Sequence, residues 1–227
     1  MGRARTLSVV SDTTDRVTDV VTFGVLALVG VRLVSGLRQS LARQGRDLVR
    51  RIVRGIRWRH IWPAPFGLAG VVVVGSALVQ LPGLDWGWWS AFGGEGSPVF
   101  GSSTSTSGTA LEWLVPLVFM CLLIPALPLF AYAEERMFRR SAESWSTRRR
   151  MLKVVQFGLI HALIGIPIGY ALALSVGGAS FMATYLHAFR RTGSVEEATM
   201  ESTRAHTAYN GLIIALVVVA IVIDGVT

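Results

Sequence analysis

The chain alternates long apolar runs with short, strongly charged segments. Residues 61–82, 111–133 and 206–223 are each about as long as a helix needs to cross a bilayer. Residues 154–175 and 176–189 read as two further spans, or one span and a shorter one, joined near Gly177-Gly178. Residues 17–36, VTDVVTFGVLALVGVRLVSG, are also long enough, but Asp19 and Arg32 weaken them, so they either cross or lie in the interface. The pattern predicts an all-α, polytopic transmembrane bundle of about six spans. Between residues 37 and 60 the period changes. Leu41, Leu48, Ile52 and Ile56 recur at helical spacing among eight arginines and a single acid. That is a basic amphipathic helix on the membrane surface, drawn to anionic lipid. Residues 1–60 are thus an N-terminal region and 61–227 a membrane-embedded core.

The charged segments orient the bundle. Residues 134–153 carry six arginines and Lys153, the only lysine, while 190–204 open with Arg190 and Arg191. Together with 37–60 these basic stretches fall on one side, which the positive-inside rule makes cytoplasmic. Residues 83–110 hold Trp86, Trp88, Trp89 and the run GSSTSTSG, without a basic residue, and form an external loop. Residues 192–205 read as a polar connector. His60, between Trp58 and Trp62, falls in an aromatic interface belt. Composition agrees: 227 residues, 52% hydrophobic, 16% charged, with a net charge of +8. The excess charge marks loops and membrane lipid as partner, not nucleic acid. The one cysteine, Cys121, lies in an apolar run and reads as a small buried hydrophobe. No small-residue cleavage site follows 17–36, so no cleavable signal peptide is expected.

Ionisable side chains at membrane depth are costly and point to function. Glu134 and Glu135 end the span 111–133, His161 lies about 12 Å into the next at about 1.5 Å per residue, and His206 opens the last. A carboxylate and two imidazoles at similar depth are the ingredients of a water-activating site. Glu135 and Arg139, four apart, share a helix face and can pair. Glu134, about 100° around, faces elsewhere. Phe157 lies one turn from His161. His206 and Asn210, also four apart, offer two donors to an oxyanion. His187, beside Arg190, has no matching partner and reads as interfacial.

Each pattern alone has a plain structural reading: a solvated helix end, a packing histidine, a helix cap. In order, however, EERMFR at 134–139, FGLIH at 157–161 and HTAYN at 206–210 resemble the EExxxR, FxxxH and HxxxN motifs of the CAAX protease and bacteriocin-processing family, also called Abi. The resemblance covers roughly residues 111–215. It implies a prokaryotic integral membrane glutamate endopeptidase with a conical cavity open to the cytoplasm. Glu134 and His161 would activate a water, and His206 and Asn210 would stabilise the oxyanion. Glu135, Arg139 and Phe157 would support the site. The resemblance implies no cofactor, and a peptide or protein substrate, with prenylated CAAX ends as one class.

Three other readings stay open. The chain can be a non-proteolytic immunity or scaffold protein of the same fold. A Glu/His/His set is also chemically reasonable for zinc. Buried Glu and His relay protons in small transporters, although no internal repeat supports that reading here.

Overall fold

In the computed structural model the described residues are Arg16, Val20, Phe23, Gly24, 27–87 and 108–224, and all regular structure among them is helical. Residues 27–41 are helical. They are followed by α1 (Arg43–Arg54), α2 (Trp58–Ile61), α3 (Ala64–Leu78), α4 (Leu111–Phe138), α5 (Thr147–Leu159), α6 (Ile168–Thr192) and α7 (Val195–Asp224). Residues 88–107, with Trp88, Trp89 and most of the GSSTSTSG run, lie outside the described residues, as does much of 17–26.

Three stretches, Trp58–Leu78, Leu117–Ser144 and Ile168–Thr192, are long and apolar enough to cross a membrane. Their most apolar windows are 17%, 22% and 39% buried respectively, which makes α6 the central helix. It packs on α3, α5 and α7, while α4 closes the bundle against α7. Large apolar side chains such as Phe66, Val73, Leu117, Ile124 and Leu216 are left on the outside. Cys121, expected to be buried, is exposed there too, because it lies on the outer face of α4. That arrangement suits a hydrocarbon solvent. Phe138, Phe157, Phe181 and Tyr209 form one aromatic core with Ala64. Val154, Met182, Tyr185 and their small neighbours form a second.

The expected joint at Gly177-Gly178 is not there: α6 runs unbroken through it. The chain reverses at residues 165–167 instead. α5 tightens into a 3₁₀ turn over Ile160–Ile164, and Gly165 then takes φ of +90°, which an L side chain rarely adopts. Pro167 follows as N-cap of α6. The turn is fastened to the segment after α3 by bonds from Ile168 N to Trp86 O (3.0 Å) and Gly169 N to Leu84 O (2.7 Å). Gly178 serves packing. A Cβ there would stand 2.8 Å from the Phe157 ring and 3.2 Å from the Val154 carbonyl oxygen. In membrane bundles small residues commonly allow such close approach.

Two other boundaries differ from expectation. The connector 192–205 shrinks to Gly193 and Ser194, because Ser194 Oγ accepts the Glu197 amide (3.2 Å) and starts α7 at Val195. Glu196 and Glu197 in its first turn suit the positive end of the helix dipole. His206 consequently sits well inside the last helix and does not open it. The single helix expected over 37–60 is interrupted at Ala42, whose backbone is extended, and again at Gly55. Of its apolar stripe, Ile52 is buried while Leu41 is exposed on the far side of the first break.

Candidate active site

The last turn of α4 presents its two carboxylates in different directions. Glu135 points inward and is fully buried. Its Oε1 accepts Arg139 Nη1 at 2.7 Å and His206 Nδ1 at 2.9 Å, and its Oε2 accepts the Ser202 hydroxyl. The i,i+4 spacing that predicts the pair delivers it. Arg139, fully buried as well, also donates Nη2 to the Gly178 carbonyl at 3.3 Å and stands 4.2 Å from the Phe157 ring centroid. A buried pair is costly unless its other polar atoms find partners. Here Ser202, His206 and the Gly178 carbonyl supply most of them, while Arg139 Nε has no hydrogen-bond partner among the described residues.

Glu134 faces away from this network. Its side chain is 31% exposed, and Oε2 lies 3.7 Å from His206 Nε2 without a hydrogen bond among the described residues. His206 therefore stands between the two carboxylates. A carboxylate bound to Arg139 accepts, so Nδ1 carries the proton and Nε2 is the nitrogen turned to Glu134. Phe181 stacks on the imidazole at 4.4 Å and 20°, and Phe157 meets its edge at 5.5 Å. The ring has little freedom to turn.

His161 is placed differently. Its Nδ1 donates to the Phe157 carbonyl at 2.8 Å, which fixes the tautomer and leaves Nε2 without a partner among the described residues. Its ring touches Phe157 at 5.2 Å, one turn further along the chain. The structure thus brings Glu134, Glu135, Arg139, Phe157 and His206 into one group, with His161 joined to them through the Phe157 ring. No hydrogen bond or ion pair links His161 to Glu134. Asn210 lies one turn beyond His206, half-buried, and its amide makes no hydrogen bond among the described residues. No three His, Cys, Asp or Glu side chains among the described residues are grouped to hold a metal ion.

An open apolar groove of about 500 Å³ is lined by Trp86, Leu159, Ala162, Leu163 and Ile168 among others. Its lining flanks His161 in sequence but shares no residue with the polar group.

Ser202, Phe181 and Gly178 were not anticipated. Ser202 precedes His206 by four residues, so a helical reading of 195–205 would have put both on one face. A second cluster was missed altogether. Glu201 accepts Arg59 Nη2 at 2.7 Å, His60 Nε2 at 3.1 Å and Arg204 Nη1 at 2.6 Å. Burial alone would raise its carboxyl, but hydrogen bonds from His60, Arg59 and Arg204 outweigh that and hold it at about 2. His60, between the exposed Trp58 and Trp62, is therefore a buried partner of α7.

Comparison with family models, with curated proteins and with solved structures finds no match for this chain.

Proposed function

We propose that this protein is an integral membrane glutamate endopeptidase of the CAAX protease and bacteriocin-processing type. One observation carries the reading. Glu134 is a partly exposed carboxylate without a hydrogen bond among the described residues, 3.7 Å from a histidine that a second carboxylate holds from behind. In this reading Glu134 takes a proton from water as the water oxygen bonds to the scissile carbonyl carbon. That proton passes to the leaving nitrogen as the C–N bond breaks. The unpaired Nε2 of His161 orients the water. His206 has Nδ1 committed to Glu135, so only Nε2 can serve substrate. Protonated, Nε2 donates to the oxyanion alongside the Asn210 amide. The substrate is a peptide or protein segment that approaches from the basic, cytoplasmic end of the bundle.

The test is peptide cleavage by purified protein in liposomes. Glu134→Ala and His161→Ala should each lose about 10²-fold or more of wild-type rate. Equal cleavage by all three proteins refutes the reading. A second reading, a non-proteolytic membrane scaffold, is favoured by one observation. The Glu135, Arg139, Ser202 and His206 network ties α4, α6 and α7 together and does so without any chemistry. Cellular function that survives Glu134→Gln would select it.

A further inference from the structure

Arg59, Arg191 and Arg204 meet over the single carboxylate of Glu201, where α2, α6 and α7 converge. Arg59 and Arg204 hydrogen-bond it at 2.7 and 2.6 Å, and Arg191 Nη2 stands 3.9 Å from Oε2. His60 adds a donor at 3.1 Å but no charge. The Arg57 backbone N–H donates to His60 Nδ1 at 2.9 Å, so the ring proton is on Nε2. Three guanidinium groups therefore share one carboxylate, and net positive charge remains. Donors remain as well. A guanidinium carries five N–H groups. Among the described residues Arg191 uses none of them in a hydrogen bond and Arg59 uses one, whereas Arg204 is largely buried and packed against Gly55. Arg59 and Arg191, 42% and 50% exposed, turn this surplus outward.

The surroundings say what kind of anion fits. Trp58, Trp62 and Phe66 recur every fourth residue from α2 into α3, all strongly exposed, with Trp62 edge-on to Phe66 at 6.2 Å. Tryptophans of this kind sit at the headgroup level of a bilayer. The ridge starts beside Arg59 and runs down the outside of α3 toward hydrocarbon depth. A fixed cationic corner at the head of an exposed aromatic ridge matches a phosphate ester that carries acyl chains. Free phosphate would use only the corner.

We propose that Arg59, Arg191 and Arg204 form a seat for the phosphate of an anionic membrane lipid, whose acyl chains lie along Trp58, Trp62 and Phe66. The seat differs from diffuse attraction to the arginines of α1, because Glu201 holds its cations in place. It is independent of whether Glu134 hydrolyses anything.

The test uses the purified full chain in detergent, with bound lipid counted by native mass spectrometry and melting followed on titration. The probes are phosphatidylglycerol, phosphatidylcholine of the same acyl composition, and inorganic phosphate. Wild type should retain and be stabilised by phosphatidylglycerol only. Arg191→Ala, which removes an exposed cation that makes no hydrogen bond, should weaken that binding roughly fivefold. Arg59→Ala/Arg191→Ala should weaken it further, whereas Arg43→Ala/Arg46→Ala on α1 should leave it unchanged. Equal binding of the two lipids, equal loss in the α1 double variant, or no loss in Arg191→Ala overturns the proposal. So does stabilisation by inorganic phosphate that matches phosphatidylglycerol, since it would assign the corner to a soluble anion.

Discussion

Glu134 and Glu135 are neighbours in sequence and opposites in environment, so the same substitution at each should report on different things. Glu135 is fully buried against Arg139, His206 and Ser202. Arg139→Met leaves that carboxylate without its counter-ion, and Glu135→Gln leaves a buried guanidinium in the same state. Breaking one side of a buried pair costs about 3–5 kcal/mol. At about 2–4 °C per kcal/mol for a chain of this size, each single variant should melt roughly 6–20 °C below wild type. Removing both partners removes the unpaired charge, so Glu135→Gln/Arg139→Met should recover much of the loss, with a coupling of about 2–3 kcal/mol. Glu134→Gln exchanges a side chain that is 31% exposed and makes no hydrogen bond among the described residues, and should cost about 0.5 kcal/mol or less. The assay is thermal unfolding of detergent-solubilised protein, followed by size-exclusion fluorescence. Additive losses in the double variant would show that the two charges are not paired in the folded protein. A Glu134→Gln melting point as low as that of Glu135→Gln would refute the division of roles.

Three further outcomes follow from contacts already described. Ser202→Ala deprives Glu135 Oε2 of its donor and should lower stability by about 1–3 kcal/mol, read in the same melting assay. Gly178→Ala places a methyl 2.8 Å from the Phe157 ring and should cost about 1–3 kcal/mol, whereas Gly211, with nothing within 4 Å of where its Cβ would stand, should accept Ala at little cost. Glu201 is held at about 2 against an ordinary 4.5, so its contribution is fully present above about pH 4.5 and is lost as pH falls toward 2. That loss amounts to roughly 3 kcal/mol, and Glu201→Gln should flatten the acid limb of the stability curve; identical limbs would show that the carboxylate is not held.

The parts of this site that helix geometry alone determines were legible in the sequence. Glu135 meets Arg139 because they are four apart, and Glu134 diverges because one residue turns a helix by about 100°. Contacts between distant segments were not legible. Ser202 reaches Glu135 across 67 positions and His60 reaches Glu201 across 141, and no local pattern announces either. The misplaced helix break has a physical cause. A glycine pair inside an apolar run fits a hinge or a close helix contact equally well, and Phe157 opposite Gly178 decides for contact. Gly165 and Pro167, the residues that do break the chain, were equally visible. Residues 195–205 looked like a connector because they are polar. Yet Ser194 followed by Glu197 is a helix-start signal, and the buried polar residues beyond it are paired, Glu201 with Arg59 of α2 and Ser202 with Glu135 of α4.

His206 is where structure and proposed chemistry are joined. A histidine free to rotate in a membrane interior would offer either nitrogen to Glu134, and its tautomer would be unset. Here Glu135 takes Nδ1 while Phe181 and Phe157 fix the ring plane, so Nε2 alone is presented. The same Glu135 is neutralised by Arg139, which in turn is anchored on the Gly178 carbonyl of α6. The geometry at Glu134 therefore depends on a chain of contacts that runs through α7, α4 and α6. This makes the positioning of His206 more sensitive to Gly178 and Phe181 than to exposed neighbours of Glu134. A Phe181→Leu variant should leave Glu134 chemically intact yet loosen the imidazole. If cleavage depends on a fixed His206, its rate should fall while the Glu135–Arg139 coupling survives; an unchanged rate would mean that the stacked ring is packing only.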